Sequence, residues 1–338
     1  MRCRSPSWSW PGAASARPSP SRPVPTPRSA YNPRMPRPLG RLLTAMVTPF
    51  GADGGVDLAT AAELARRLVA GGCDGMVVNG TTGESPTLHA DERLALLDAV
   101  RAALPDNAVV MGTGSYDTAA SVALTREAMQ RGADAALVVT PYYNKPPEEG
   151  LLAHYEAIAD VGLPVVMYNI PSRSVINMSA ALQLRLAQHP NIVGTKECAD
   201  LEQVAQIVDG APDDFHVWSG DDAATLPQLS VGAYGVISVA AHVCAPAMRR
   251  LVDAYVSGDV AHAGALHRRL LPVFRALFMT ANPIAVKAAV TMLGLDVGVP
   301  RLPLVPLDSE RTARLAIALD AAGDLVGLPE LSAAAASA

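Results

Sequence analysis

The chain has 338 residues, 50% of them apolar, 17% charged and 4% aromatic, with a net charge of −5. That length can bury a sizeable core, and no uninterrupted apolar run approaches the roughly 20 residues a membrane-spanning helix needs. The four cysteines (Cys3, Cys73, Cys198, Cys244) include no CxxC pair. They therefore offer neither a zinc or iron–sulfur cradle of that kind nor a disulfide framework, and read as reduced thiols of cytosolic type.

The charge is unevenly divided. Residues 1–38 carry seven Arg, ten Pro and seven Ser and no acid, so the other 300 residues hold 20 basic against 32 acidic groups, a net of −12. An acidic body argues against a nucleic-acid partner. The leader lacks apolar periodicity and its prolines lack backbone donors, so it is expected to be disordered. Its composition fits a transit peptide; the Ala- and Arg-heavy usage of the whole chain favours a mis-called start or a bacterial tail instead, and a cytoplasmic protein.

From Leu39 onward, apolar runs alternate with amphipathic stretches. The runs are Leu42–Val47, Gly75–Val78, Ala108–Gly112, Ala135–Val139, Pro164–Tyr168, Ile192–Lys196, His216–Ser219 and Gly235–Val239. Each is too continuously apolar for a half-exposed antiparallel strand, and each precedes a helical pattern. Eight such units predict a (β/α)8 TIM barrel over residues 39–258. The first helical stretch places Leu58, Ala61, Ala62, Ala65, Leu68 and Val69 on one face, with Asp57 to cap it and Gly71 to stop it. Thr118 and Ser179 are placed to begin later helices. Helical patterns at Ala261–Phe278, Ala285–Leu293 and near Ser309–Ala321 predict a small C-terminal helical domain and tail over 259–338.

Barrel enzymes place chemistry at the carboxyl ends of their strands. The sixth run ends at Lys196, one of three lysines against 24 arginines, so a lysine kept here suggests amine chemistry. A guanidinium cannot form an imine with a carbonyl, whereas a buried ammonium can be driven towards neutrality. Alternation aims Lys196 inward, with Thr195 and Glu197 outward and no carboxylate beside it on its own face. A lysine snorkelling from a strand end is the plain alternative. Gly80-Thr81-Thr82-Gly83 follows the second run; it is either a simple turn or an anion cradle of backbone N–H groups and two hydroxyls. Tyr143 and Tyr168 leave the fourth and fifth runs, as rim aromatics or as proton relays. Arg173 follows Pro171, either solvated or able to clamp a carboxylate. The histidines form no HxH at the first run and no HExxH, which disfavours a metal-dependent hydrolase.

Together, Gly-Thr-Thr-Gly-Glu (80–84), Thr-Pro-Tyr-Tyr-Asn-Lys-Pro (140–146), Tyr-Asn-Ile-Pro-Ser-Arg (168–173), Gly-Thr-Lys-Glu (194–197), Ser-Gly-Asp-Asp (219–222) and Gly-Val-Ile-Ser-Val (235–239) closely resemble the 4-hydroxy-tetrahydrodipicolinate synthase family. That family lies within the pyruvate-dependent class I aldolases. The resemblance implies that Lys196 forms an imine with pyruvate, whose carboxylate rests on Thr81 and Thr82. The resulting enamine then attacks L-aspartate 4-semialdehyde. It further implies a proton relay of Tyr168, Thr81 and a Tyr143 that reaches into a neighbouring subunit. Arg173 would hold the semialdehyde carboxylate, and Gly220 and Ile237 would lend backbone to the pyruvate pocket. No metal or organic cofactor is implied, and the assembly would be a homotetramer of two tight dimers.

Some positions depart from the family pattern. Ser174 stands where threonine is common and His242 where asparagine is common. The positions by which some members sense lysine hold Arg93, Tyr116 and Ala120, although Ser85 and Tyr142 remain, so feedback by lysine is expected to be weak. Two other readings share part of the pattern. One is a pyruvate-releasing aldolase such as an N-acetylneuraminate or keto-deoxy-sugar-acid lyase, against which Arg173 and the paired tyrosines speak. The other is a non-catalytic pyruvate-binding paralogue, which should have lost the lysine or the relay.

Overall fold

A computed structural model describes residues 38–331. The expectation of a disordered leader therefore falls outside the described residues, except for Pro38. Eight parallel strands close into a barrel in chain order. They are β1 (Leu42–Ala45), β2 (Gly75–Val78), β3 (Ala108–Gly112), β4 (Ala135–Val139), β5 (Val165–Asn169), β6 (Ile192–Glu197), β7 (His216–Ser219) and β8 (Gly235–Ser238). The helices between them are α1 (Leu58–Ala70), α2 (Ala90–Ala103), α3 (Thr118–Gln130), α4 (Glu148–Ala159), α5 (Pro171–Ser174), α6 (Ala180–Leu186), α7 (Leu201–Gly210) and α8 (Thr225–Ser230). After β8 come α9 (Ala241–Val256), α10 (Val260–Leu277), α11 (Ile284–Met292) and α12 (Ser309–Ala322).

At two strand ends that differ from the sequence reading, in β1 and β8, side chains have taken over the backbone pairing. β1 stops at Ala45 because the Val47 N–H donates to His242 Nε2 at 3.0 Å rather than to a strand. The other ring nitrogen donates to Val239 O at 2.7 Å, and burial lowers the His242 pKa to about 4, so the ring is a neutral bracket between two strand exits. β8 stops at Ser238 because the N–H groups of Val239 and Ala240 donate to the Asp222 carboxylate at 3.1 and 2.9 Å. Burial pushes the Asp222 pKa up while these donors and Ser238 oppose the shift. β5 begins at Val165 because Pro164 has no N–H.

The caps follow elementary hydrogen bonding. Asp57 accepts from Thr60 N at 3.0 Å to start α1, and Gly71 closes it. Ser179 caps α6 through Leu182 N at 3.2 Å. At α3, Asp117 rather than Thr118 is the cap, accepting from Ala120 N at 3.0 Å. Thr118 is the first helical residue, and its hydroxyl meets His154 Nδ1 at 2.9 Å.

The core has two layers. Leu42, Met76, Val109 and Ile192 face the helices; Leu43, Val77, Val110 and Ile237 fill the barrel. At the amino end the interior is closed by stacked rings. Arg41 lies 4.2 Å over the Tyr234 ring, which stacks on His216 at 4.0 Å and meets Trp218 edge-on at 5.5 Å. Gly194 makes room for this plug, since a Cβ there would lie 2.6 Å from the Trp218 ring.

The register of β6 decides which way its side chains point. Val165 pairs with Ile192 but Val166 pairs with Gly194, so Val193 is an extra residue in the strand. This one-residue shift places Lys196 beside Tyr168, on the inner face. Without it Thr195 would stand there and the lysine would face the helices.

The C-terminal helices reach back to the catalytic face. Lys287 of α11 donates to Glu84 Oε1 and Thr48 O, both at 3.0 Å, and lies 4.1 Å over the Phe50 ring. Both members of the ion pair are almost fully buried. Lys287→Ala should therefore leave an uncompensated buried carboxylate and cost about 3–5 kcal/mol in chemical denaturation. Lys287→Met combined with Glu84→Gln should recover most of that loss.

Candidate active site

Lys196 leaves β6 in register with Tyr168 of β5 and Trp218 of β7. It is 4% exposed, its Nζ lies 4.5 Å from the centroid of the Tyr168 ring, and its ammonium makes no hydrogen bond to another described residue. Desolvation lowers its pKa, with the Cys198 thiol and Asp222 opposing and Arg173 adding to the shift. The neighbouring Glu197 points the other way, beneath α6 and α7. Its carboxylate accepts from Gln183 Nε2 at 2.6 Å, Asn169 Nδ2 at 2.9 Å and Ala199 N at 2.7 Å.

Tyr168 is buried, and the Thr81 side chain is among the neighbours that ease its ionisation. Burial raises its pKa strongly, while Arg173 and Thr81 pull it back. A neutral phenol with a second hydroxyl close by can pass a proton along the pair without carrying charge.

The turn after β2 is more constrained than its glycines suggest. Its own carbonyls take the N–H groups of Gly83, Glu84 and Ser85, through Gly80 O at 3.1 Å, Thr81 O at 3.1 Å and Gly80 O at 3.3 Å. The N–H groups of Thr81 and Thr82 have no partner among the described residues, so both remain as donors to an anion. Thr82 Oγ1 accepts from Asn282 Nδ2 at 2.9 Å. Glu84 belongs to a structural brace rather than the cradle: its carboxylate meets Lys287 and, at 2.8 Å, Arg301 N.

Arg173 sits on the single turn of α5 at the mouth, exposed, with Nη2 3.4 Å from Asn282 O. Gly220 follows β7, and its N–H donates to Glu197 O at 2.9 Å. A Cβ at Gly220 would lie 2.2 Å from Cys198 Sγ and 3.2 Å from Lys196 Cε, so any added side chain would have to displace the thiol. Ile237 is buried in β8 opposite Leu43.

Lys196, Tyr168, Thr81, Arg173 and Gly220 thus converge, with Thr82 beside them on the turn. Tyr143 does not join them within this chain. It has φ +75° and is 89% exposed, on a turn held by Asn144, whose Nδ2 donates to Tyr116 O at 3.0 Å. Of the family's lysine-sensing positions, Arg93 already donates from Nη2 to Ser85 O at 2.6 Å, Tyr116 and Tyr142 pack edge-on at 5.3 Å, and Ala120 is exposed.

Two residues at the site escaped the sequence reading. Cys198 reads in the sequence as an isolated thiol, yet it lies two residues beyond Lys196, and that spacing alone returns it to the same face. Burial pushes its thiol up to about 12, against the pull of Lys196. Asn282 lies in the C-terminal region, and nothing in its local pattern points to the barrel.

A desolvated, unpaired lysine inside a (β/α)8 barrel, next to a tyrosine–threonine hydroxyl pair and a turn with free N–H donors, defines an imine-forming lyase of the class I aldolase type. Residues 38–322 match the dihydrodipicolinate synthetase family. The chain belongs to that family.

The 4-hydroxy-tetrahydrodipicolinate synthase of Symbiobacterium thermophilum is 56% identical over 289 residues, 85% of this chain and 99% of the relative. That of Moorella thermoacetica is 53% identical over 287 residues, 84% of this chain and 98% of the relative. Among solved structures, the Cyanidioschyzon merolae enzyme with lysine bound has a TM-score of 0.83 at 43% identity, covering 84% of this chain and 98% of that one. Chloride-inhibited dihydrodipicolinate synthase from Acinetobacter baumannii, complexed with pyruvate, has a TM-score of 0.82 at 36% identity, covering 84% and 99%.

The packing at Gly220 is directly testable. Gly220→Ala should introduce roughly 1–3 kcal/mol of overpacking beside Lys196 and lower kcat/KM accordingly. Cys198→Ala in the same chain should restore a substantial part by removing the sulfur. A double variant no more active than Gly220→Ala would show that the thiol is not the obstacle.

Proposed function

We propose that the chain condenses pyruvate with L-aspartate 4-semialdehyde to 4-hydroxy-tetrahydrodipicolinate, the step that feeds lysine and diaminopimelate synthesis. The observation that carries this reading is the buried, desolvated Lys196 beside Tyr168. A lysine whose charge is costly holds a larger neutral fraction and can attack a ketone. Its amine adds to the pyruvate carbonyl and water leaves, giving an imine. The two free N–H groups of the Thr81–Thr82 turn receive the pyruvate carboxylate.

Loss of a methyl proton gives an enamine, whose carbon attacks the aldehyde and forms the new C–C bond. The Tyr168–Thr81 hydroxyl pair carries the protons that these steps release and consume. The amino group of the second substrate then displaces Lys196 from the imine carbon, closing the ring and regenerating the free amine. Arg173, at the mouth, holds the semialdehyde carboxylate bidentately. Gly220 and Ile237 bound the pyruvate side. The imine is itself the electron sink, so the reaction requires no further cofactor.

Tyr143, exposed on its own chain in a backbone conformation unfavourable for a non-glycine residue, completes the relay of a neighbouring subunit. A dimer that shares its sites in this way, doubled to a tetramer, is the proposed assembly. Among the described residues no helix is long and apolar enough to cross a membrane, and a cytoplasmic location fits the small, soluble substrates.

Two measurements test this. Borohydride with pyruvate should modify Lys196, identified by peptide mass spectrometry; a label on Lys145 or Lys287, or none, would overturn the imine. Mixing inactive Tyr143→Phe and Lys196→Ala protomers, with subunit exchange verified, should restore part of the turnover. No recovery would rule out the shared site.

A further inference from the structure

Two residues assigned to opposite ends of the bound substrates touch one residue from outside the barrel strands. Asn282 lies between α10 and α11. Its side-chain amide donates to Thr82 Oγ1 at 2.9 Å, and its backbone carbonyl faces Arg173 Nη2 at 3.4 Å. It is 8% exposed, and its Oδ1 is buried without a hydrogen-bond partner among the described residues. The hydrogen bond to Thr82 is thus the one its side chain makes within the described chain.

A threonine hydroxyl both donates and accepts, and rotates to suit its surroundings. An amide N–H aimed at its oxygen fills the acceptor role. The hydroxyl hydrogen is then free to turn elsewhere, and the anion on the Thr81–Thr82 turn is the acceptor that needs it. We infer that Asn282 is a positioning residue for the proposed reaction: by donating to Thr82 it sets that hydroxyl as a donor to the pyruvate carboxylate. This rests on the proposed placement of pyruvate. The turn itself does not depend on Asn282, because Glu84 is held by Lys287 and Arg301, and Thr48 Oγ1 donates to Gly83 O at 2.7 Å. Loss of the amide should therefore change the orientation of one hydroxyl without releasing the loop.

The test is steady-state kinetics on the full chain with Asn282→Asp, Asn282→Ala, Thr82→Val and Thr82→Val/Asn282→Ala, with active sites counted by borohydride-trapped pyruvate. Asn282→Asp replaces a donor with an acceptor of the same shape, which claims the Thr82 hydrogen and repels the substrate. It should raise the pyruvate KM at least about tenfold, with kcat per active site changed less than about threefold. Asn282→Ala, which removes only the donor, should raise the pyruvate KM about threefold or more and carries the test if the Asp variant does not fold. In the Thr82→Val background, Asn282→Ala should add nothing, because the two act as one unit.

A merely structural asparagine would lower the number of active sites or the melting temperature and leave the pyruvate KM unchanged. An unchanged KM in Asn282→Ala, or full additivity with Thr82→Val, overturns the inference. If the unmutated chain traps no pyruvate, the reading of Lys196 fails, and that outcome is distinct from the failure of Asn282 alone.

Discussion

The chemistry of this barrel depends on one extra residue in one strand. A strand presents alternate side chains to opposite faces, so a register shift of one residue reverses every side chain beyond it. Val193 supplies that shift between Ile192 and Gly194. Ile192 faces the helices, and unbroken alternation from it would send Lys196 outward and Glu197 into the barrel. With the bulge, the lysine enters the apolar interior and the glutamate meets a set of amide donors from Gln183, Gln203 and Asn169. Each charge thus finds the environment its role requires. One is destabilised and reactive; the other is satisfied, though burial still raises its pKa.

The surroundings of Lys196 are arranged around that choice. Carboxylates are kept from pairing with it: Glu197 faces away, and Asp222 is engaged by Ser238 and two backbone N–H groups. Arg173 adds like charge at the mouth. Glycine appears where a side chain would intrude, at Gly194 against Trp218 and at Gly220 against Cys198. The C-terminal region contributes by holding the turn after β2 from behind through Lys287 and by meeting the Thr82 hydroxyl through Asn282, so the catalytic face is built partly by a region whose own pattern carries no catalytic signature.

How much of this is legible in the sequence varies with the range of the forces involved. Strand cores and the caps Asp57, Gly71 and Ser179 are local features, and apolar runs and short polar side chains announce them. Strand ends are not local: β1 ends where His242, nearly two hundred residues away, accepts the Val47 N–H. The bulge is invisible because Val193 is as apolar as its neighbours. Lysine scarcity marks Lys196 and Lys287 equally, and only the strand-end position separates the imine candidate from the buried ion pair. Thr81, Thr82 and Arg173 are readable through their motifs, while Cys198 was available through simple alternation and Asn282 was not available at all. Tyr143 is readable as a motif residue but gains a role only when a second chain is considered.

The ring stack of Arg41, Tyr234, His216 and Trp218 at the amino end has a consequence for traffic. Among the described residues, a barrel stoppered at its base leaves the carboxyl end, where Arg173 stands, as the doorway for entry and exit alike. In the proposed reaction the keto acid goes deepest, and the water expelled from it departs by the route along which the second substrate arrives. Occupancy is therefore first in, last out: the carbon skeleton bound first cannot escape past the partner above it. The two are joined there, and the finished ring is the only large molecule that has to back out.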